Sequence, residues 1–397
     1  MITISSYLHR DRLRDIIGRW MYDDPHPDDV ETISQLVHFN NLYVSRYLAC
    51  FSDTLFSRLH GAKVTKKTTA LKGELKDASV ENPPYRTSRI DDLIWQYQHQ
   101  PGRFFRETPC HATLYFIEAG GGNVYVGSSR IKRIRRLAEK GARRLIDGVF
   151  DTIRGHADAL AEERARQIGV SRDHLITSSE EMLREFLLAE ERLIEDLRLR
   201  RPIDGMGEQV INDVAGLKVI LEEDEQERLD AVLHGMEGCR IIEEERHRGR
   251  YNAVNRILHY LPPKEAILQY PLDRRLLTVM QHRGLKAEDA CREFAQFVRS
   301  GEEGVCLEII ASSYQEMLES EIGRSMHEDR IIEQRLRQRY RGHLAKNIEY
   351  LMRYLFAFPF SPRRHLDNLP IKVWNRYLPE YFDTVIADLF QISYFDF

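Results

Sequence analysis

The run Val305-Cys306-Leu307-Glu308-Ile309-Ile310-Ala311-Ser312-Ser313 alternates like a strand and carries one misfit. Alternation sends Glu308 to the face opposite Val305, Leu307 and Ile309. A carboxylate inside so apolar a strand is costly unless it is paired, protonated or bound to a cation. Its plain explanation is an ion pair with a nearby arginine or a place on a wet sheet face. Its functional explanation is a metal ion.

The flanking sequence supplies the sheet for such a strand. DVAGLKVIL (213–221) reads as a strand opened by Asp213, EQERLDAVLHGM as a helix and CRIIEEERH (239–247) as a second strand. NAVNRILHYL (252–261) is a third, and residues 262–304 are mostly helical before the strand at 305. SYQEMLESEIGRSMHEDRIIEQRLRQRY (313–340) then reads as one long helix. Strands interleaved with helices predict a mixed sheet covered by helices.

Upstream, residues 28–60 are apolar every three to four positions, the mark of a buried helix. Residues 61–110, with Lys66, Lys67, Lys72, Lys76 and Pro83-Pro84, read as loop with short helices. HATLYFIE and NVYVGSS flank Gly120-Gly121-Gly122-Asn123 and predict a hairpin. Residues 130–169 are helical, Ser171 with Asp173 signals a new helix start, and 178–201 is dense in i,i+4 charge pairs. The aromatic tail with Pro359, Pro362, Pro370 and Pro379 is expected to pack back on the body. The expected class is α+β: a mixed-sheet core at 206–335 flanked by helices, a mainly helical region at 1–110, a hairpin with long helices at 111–205 and a helical tail at 336–397.

Bulk properties narrow the field. The chain has 397 residues, 30% of them charged and 42% hydrophobic, with a net charge of −4, so any attraction to polyanions must come from local clustering. Five scattered cysteines give neither a disulfide framework nor a zinc signature. The charged start lacks a signal peptide's apolar core and no run is long enough to span a bilayer, so a cytoplasmic protein is expected. No G-x-S-x-G motif and no paired histidines point to other chemistry.

Three short stretches in order, NDVAGLKVI (212–220), GRYNAVN (249–255) and LEIIASSYQEMLESEIGRSMH (307–327), resemble the synthetase domain of RelA/SpoT-type nucleotidyltransferases over about residues 200–330. The resemblance implies that Asp213 and Glu308 hold Mg²⁺ and that Tyr251 stacks on an acceptor guanine. Asn255 shares the strand face of Tyr251, being four residues on. Arg240 falls at a phosphate-contacting position, Arg246 and Arg248 add charge, and Arg200 stands near where the family grips ATP. Glu321 and His327 match the family's later Glu and His; six apart on one helix, they do not share a face, so at most one should enter the site. The implied activity moves pyrophosphate from ATP to the 3′-hydroxyl of GTP or GDP, making an alarmone, or to an RNA 3′ end. The chain departs from the pattern at Ile310, Ser312 and Asn255, which favours the alternative of a catalytically degenerate nucleotide- or partner-binding protein.

The basic run from Arg130 to Arg144 includes Lys132, Arg133, Arg136, Lys140 and Arg143. It reads as an RNA handle or as a solvated face neutralised by the acidic helix at 180–197.

Overall fold

The computed structural model describes residues 2–61, 64–203, 207–249, 252–282, 286–337 and 340–392. The chain opens with β1 (Ile2–Ile4), α1 (Arg10–Met21), α2 (Asp29–His60), β2 (Val64–Leu71), α3 (Lys72–Glu81) and α4 (Ser88–His99). The hairpin β3 (Pro109–Ala119) and β4 (Gly122–Ile131) leads into α5 (Ile134–Ile168) and α6 (Ser179–Arg198). Then come β5 (Gln209–Ile211), β6 (Ala215–Ile220), α7 (Gln226–His234), β7 (Cys239–His247), β8 (Ala253–Tyr260), α8 (Lys264–Leu268), α9 (Arg274–His282) and α10 (Ala287–Ser300). The chain continues through β9 (Val305–Ser312), α11 (Tyr314–Glu321), α12 (His327–Leu336), α13 (His343–Ala357) and α14 (Pro379–Leu389).

Seven strands form one sheet in the order β2-β3-β4-β6-β9-β8-β7. Every neighbouring pair is antiparallel except β6 and β9, which run parallel with Gly216 opposite Glu308. Strands from residues 1–110, 111–205 and 206–335 all join it, so those segment boundaries do not coincide with breaks in the sheet.

Alternation gives the sheet two unlike faces. Leu217, Val219, Leu307, Ile309 and Leu258 point to one side and share a core cluster with Phe39, Tyr47, Phe51 and Phe56 of α2. Each such buried side chain contributes roughly 1.5–3 kcal/mol, which anchors this 32-residue helix under the sheet. The other face carries Arg130, Lys218, Glu308, Ile310 and Asn255, in register across β4, β6, β9 and β8. Over its β3 end lie α3, α4 and α11, packed through Leu75, Ile90, Leu93, Leu318 and Tyr314.

The N-terminus staples the strand starts. β1 pairs in parallel with β5, Ser5 Oγ donates to Asn212 Oδ1 at 2.6 Å, and Cys306 N donates to Ser5 O at 3.0 Å. The tail packs back, with α13 against α5 and Tyr350 stacked on Phe382 at 4.2 Å. No helix among the described residues is long and apolar enough to cross a membrane.

Three local expectations are corrected. Residues 64–71 are a strand rather than loop; Thr and Lys fill its exposed positions, as suits a sheet edge blunted by charge. The helix expected over 313–340 is two helices, because the chain turns at Ile322–Met326. The third long helix starts not at Ser171 but at Ser179, where Ser178 and Glu181 form a reciprocal capping box.

Candidate active site

The polar face of the sheet is the floor of a cavity of about 940 Å³. Arg130, Gly216, Lys218, Glu308, Ile310 and Asn255 form the floor, and the first turns of α5 supply one wall. Lys72, from the start of α3, and His327, from the start of α12, close the opposite side. Twelve lysine and arginine side chains line the cavity against five carboxylates. Set against a chain of net charge −4, that concentration of cations creates a local field suited to polyanions.

Asp213 sits just before β6. The backbone N–H of Lys132 donates to Val214 O at 2.8 Å, which brings the end of β4 alongside. Lys132 Nζ then reaches Asp213 Oδ2 at 2.5 Å, and Lys140 Nζ, two turns into α5, reaches the same oxygen at 2.6 Å. Burial alone would raise the Asp213 carboxyl, but the two ammonium groups hold it below the usual aspartate value. Glu308 behaves oppositely: burial first, and then the charge of Asp213, push its carboxyl above the usual glutamate value. The two carboxylates therefore face the same cavity and feel each other.

Asn255 Nδ2 donates to Glu308 Oε1 at 3.0 Å. Asp213 Oδ1 and Asn255 Oδ1 are buried and have no hydrogen-bond donor among the described residues. These are hard oxygen atoms beside a carboxylate whose ionisation is disfavoured, a donor set that fits Mg²⁺, which takes few protein carboxylates and keeps water and phosphate oxygens. No cluster of three or more His, Cys, Asp and Glu ligands occurs among the described residues, so the oxygen set is two carboxylates and an amide.

The remaining sequence candidates scatter. Arg248 lines the cavity. Arg246 is exposed and pairs with Glu244 at 3.1 Å, and Arg240 is exposed on the edge strand β7, outside the cavity. Arg200 is exposed and bonds Asp24 at 2.8 Å, tying the end of α6 to the loop after α1. Tyr251 lies outside the described residues. His327 lines the cavity, whereas Glu321 is wholly buried behind it, with Lys218 Nζ at 2.5 Å and Lys72 Nζ at 3.3 Å. The turn between α11 and α12, rather than helical phase, separates these two.

Sequence reasoning missed Lys72 and Lys218 as cavity residues and offered Lys132 and Lys140 either RNA or the acidic helix at 180–197 as partner, rather than Asp213. The available signal for Lys218 was its strand parity: in β6 it falls on the face of Gly216 and opposite Val219. No protein-family model, no curated protein and no solved structure matches this chain.

Proposed function

We propose that the protein is a Mg²⁺-dependent nucleotidyltransferase-like enzyme that transfers pyrophosphate from ATP to the 3′-hydroxyl of a guanine nucleotide or of an RNA end. The observation that carries this reading is the convergence of Asp213, just before β6, and Glu308, on its parallel neighbour β9, on one cation-lined cavity. In the reaction the 3′-oxygen bonds to the β-phosphorus, the bond from that phosphorus to the α-phosphate oxygen breaks, and AMP leaves.

Phosphoryl transfer asks the protein mainly for positioning and charge neutralisation. Asp213, Glu308 and Asn255 would hold the metal, which when bound neutralises phosphate charge and orients the polyphosphate. Arg136, Lys140 and Arg143 on α5 and Arg248 opposite bring positive charge to the phosphates from two sides. The sheet supplies rigidity, since Glu308 stands in the middle of β9, which is paired on both sides by β6 and β8.

A second reading, nucleotide binding without turnover, draws on two features. Two lysines already neutralise Asp213, and apolar Ile310 occupies the cavity floor beside Glu308. The test incubates the full chain with Mg²⁺, labelled ATP and GTP, GDP or tRNA, alongside Asp213→Ala and Glu308→Ala. Metal-dependent transfer abolished by both substitutions supports the enzyme. Nucleotide binding with no transfer in the wild type supports the second reading, and transfer indifferent to both substitutions defeats the site.

A further inference from the structure

Behind the floor of the cavity lies an ionic cluster with more cations than anions. Glu321, with no exposed surface, serves Lys218 at 2.5 Å and Lys72 at 3.3 Å. Lys72 also reaches Glu328 at 3.2 Å, and fully buried Lys76 lies 3.5 Å from that same carboxylate. Two carboxylates therefore serve three lysines. Arg130 adds a fourth cation from β4: its guanidinium forms no hydrogen bond or ion pair among the described residues, although the charge of Glu321 reaches it.

His327 shows the resulting field. Burial first, then Arg130, Lys72 and Lys218, hold its ring far below the usual histidine value, so it stays neutral and adds no charge. Arg130 brings five donors and no acceptor to the cavity floor, and Glu321 and Glu308 keep it charged without a direct contact, so its fork is open to an incoming anion. Carboxylate and phosphate oxygens both match that fork, and phosphate brings more negative charge to a site with surplus cations.

We propose that Lys72, Arg130 and Lys218 form a phosphate or pyrophosphate subsite beside the carboxylate pair, with Glu321 as the positioning residue that holds both lysines in place. Arg130, Gly216 and Glu308 form one cross-strand row, so the guanidinium springs from a strand two removed from Glu308, about 10 Å away at ~4.8 Å per strand. One end of a polyphosphate chain rests in this subsite while the other meets Asp213 and Glu308. The assignment rests on the reading that the cavity takes phosphate ligands, but the subsite binds pyrophosphate without metal.

Isothermal titration of the full chain with inorganic pyrophosphate in EDTA tests it. The wild type is expected to bind, and Arg130→Gln to weaken binding at least tenfold with an unchanged melting temperature. Arg130→Lys should restore part of the loss, since a point charge replaces the fork. Glu308→Gln removes a negative charge that reaches Arg130 and should keep or strengthen metal-free binding, and Glu321→Gln, where it folds, should weaken it less than Arg130→Gln does. Absence of wild-type binding at millimolar pyrophosphate, wild-type affinity in a folded Arg130→Gln, or an equal loss in Glu308→Gln would each overturn the subsite. Pyrophosphate binding without transfer from ATP removes the transferase reading alone. Transfer with an unchanged KM for ATP in Arg130→Gln removes the subsite alone.

Discussion

Asp213 and Glu308 carry the same charge chemistry and opposite thermodynamics. Lys132 and Lys140 stabilise the ionised Asp213, so Asp213→Asn leaves two half-buried lysines without their partner and should cost about 1–3 kcal/mol. Glu308 is disfavoured as an anion by burial and by Asp213, so Glu308→Gln should hold or raise the melting temperature at pH 7. The sign follows from linkage. With its folded proton affinity raised, Glu308 contributes stability that is complete below its unfolded value of 4.5 and is lost as pH rises through the folded value. Melting curves from pH 4 to 7 should show that decline in the wild type and a flatter profile in Glu308→Gln. Both substitutions should lower metal-dependent transfer by about 100-fold or more, the scale of losing one group that stabilises developing charge. A Glu308→Gln protein that melts well below the wild type would show the carboxylate to be a structural ion pair instead. Lys218 gives a second pH signature. Burial pushes its ammonium down to about 8 against the pull of Glu321, so anion affinity should fall between pH 7 and 9.5 as its proton leaves. In Lys218→Met that fall should be smaller; an identical profile would exclude Lys218 as a ligand.

Among the elements, those with strong periodicity were legible and those shaped by tertiary contact were not. The strands β6, β7, β8 and β9 and the long α2 stand close to where alternation and helical spacing put them, and Glu308 is on the expected face. The strand at 64–71 was hidden because an edge strand needs no apolar face, and VTKKTTAL keeps only Thr69 buried. The three-residue β1 was hidden because its partner lies more than 200 residues away. The partners of Asp213 were illegible for a similar reason: Lys132 precedes α5 and Lys140 lies within it, and no spacing rule links either to a strand start eighty residues on. The break between α11 and α12 decides where Glu321 and His327 go, and Gly323 makes it possible. A methyl group there would lie 2.7 Å from Glu319 Cα and closer still to the Glu319 carboxylate that Arg89 holds, so backbone must move. Gly323→Ala is therefore expected to cost about 1–3 kcal/mol by overpacking and to loosen Glu328 from Lys72 and Lys76. Chemical denaturation measures the first effect, and weaker pyrophosphate binding the second. An alanine variant as stable as the wild type would show the turn to be independent of its glycine.

For the molecule as a whole, the question is how far the positive field extends beyond the cavity. Lys132 and Lys140 share Asp213, and Arg136 shares Glu139 with Arg335, so the inner half of the basic run is already partnered, with four cations on two carboxylates. Arg133, just before α5, and Arg143 and Arg144 on it have no such carboxylate partner among the described residues, and all three line the cavity. A mononucleotide held inside engages few of these charges, whereas an RNA end entering the cavity would lay its phosphates along this wall. The slope of log affinity against log salt separates the two, because each phosphate neutralised on a single strand contributes about 0.7 to it. If RNA is the acceptor, tRNA binding should be steeper in salt than ATP binding. The combined Arg133→Ala, Arg143→Ala and Arg144→Ala variant should then lose about two units of slope for tRNA and less than one for ATP. Equal slopes for the two ligands, or a tRNA slope untouched by the triple variant, would leave a nucleotide as the acceptor and make the outer arginines a solvated face.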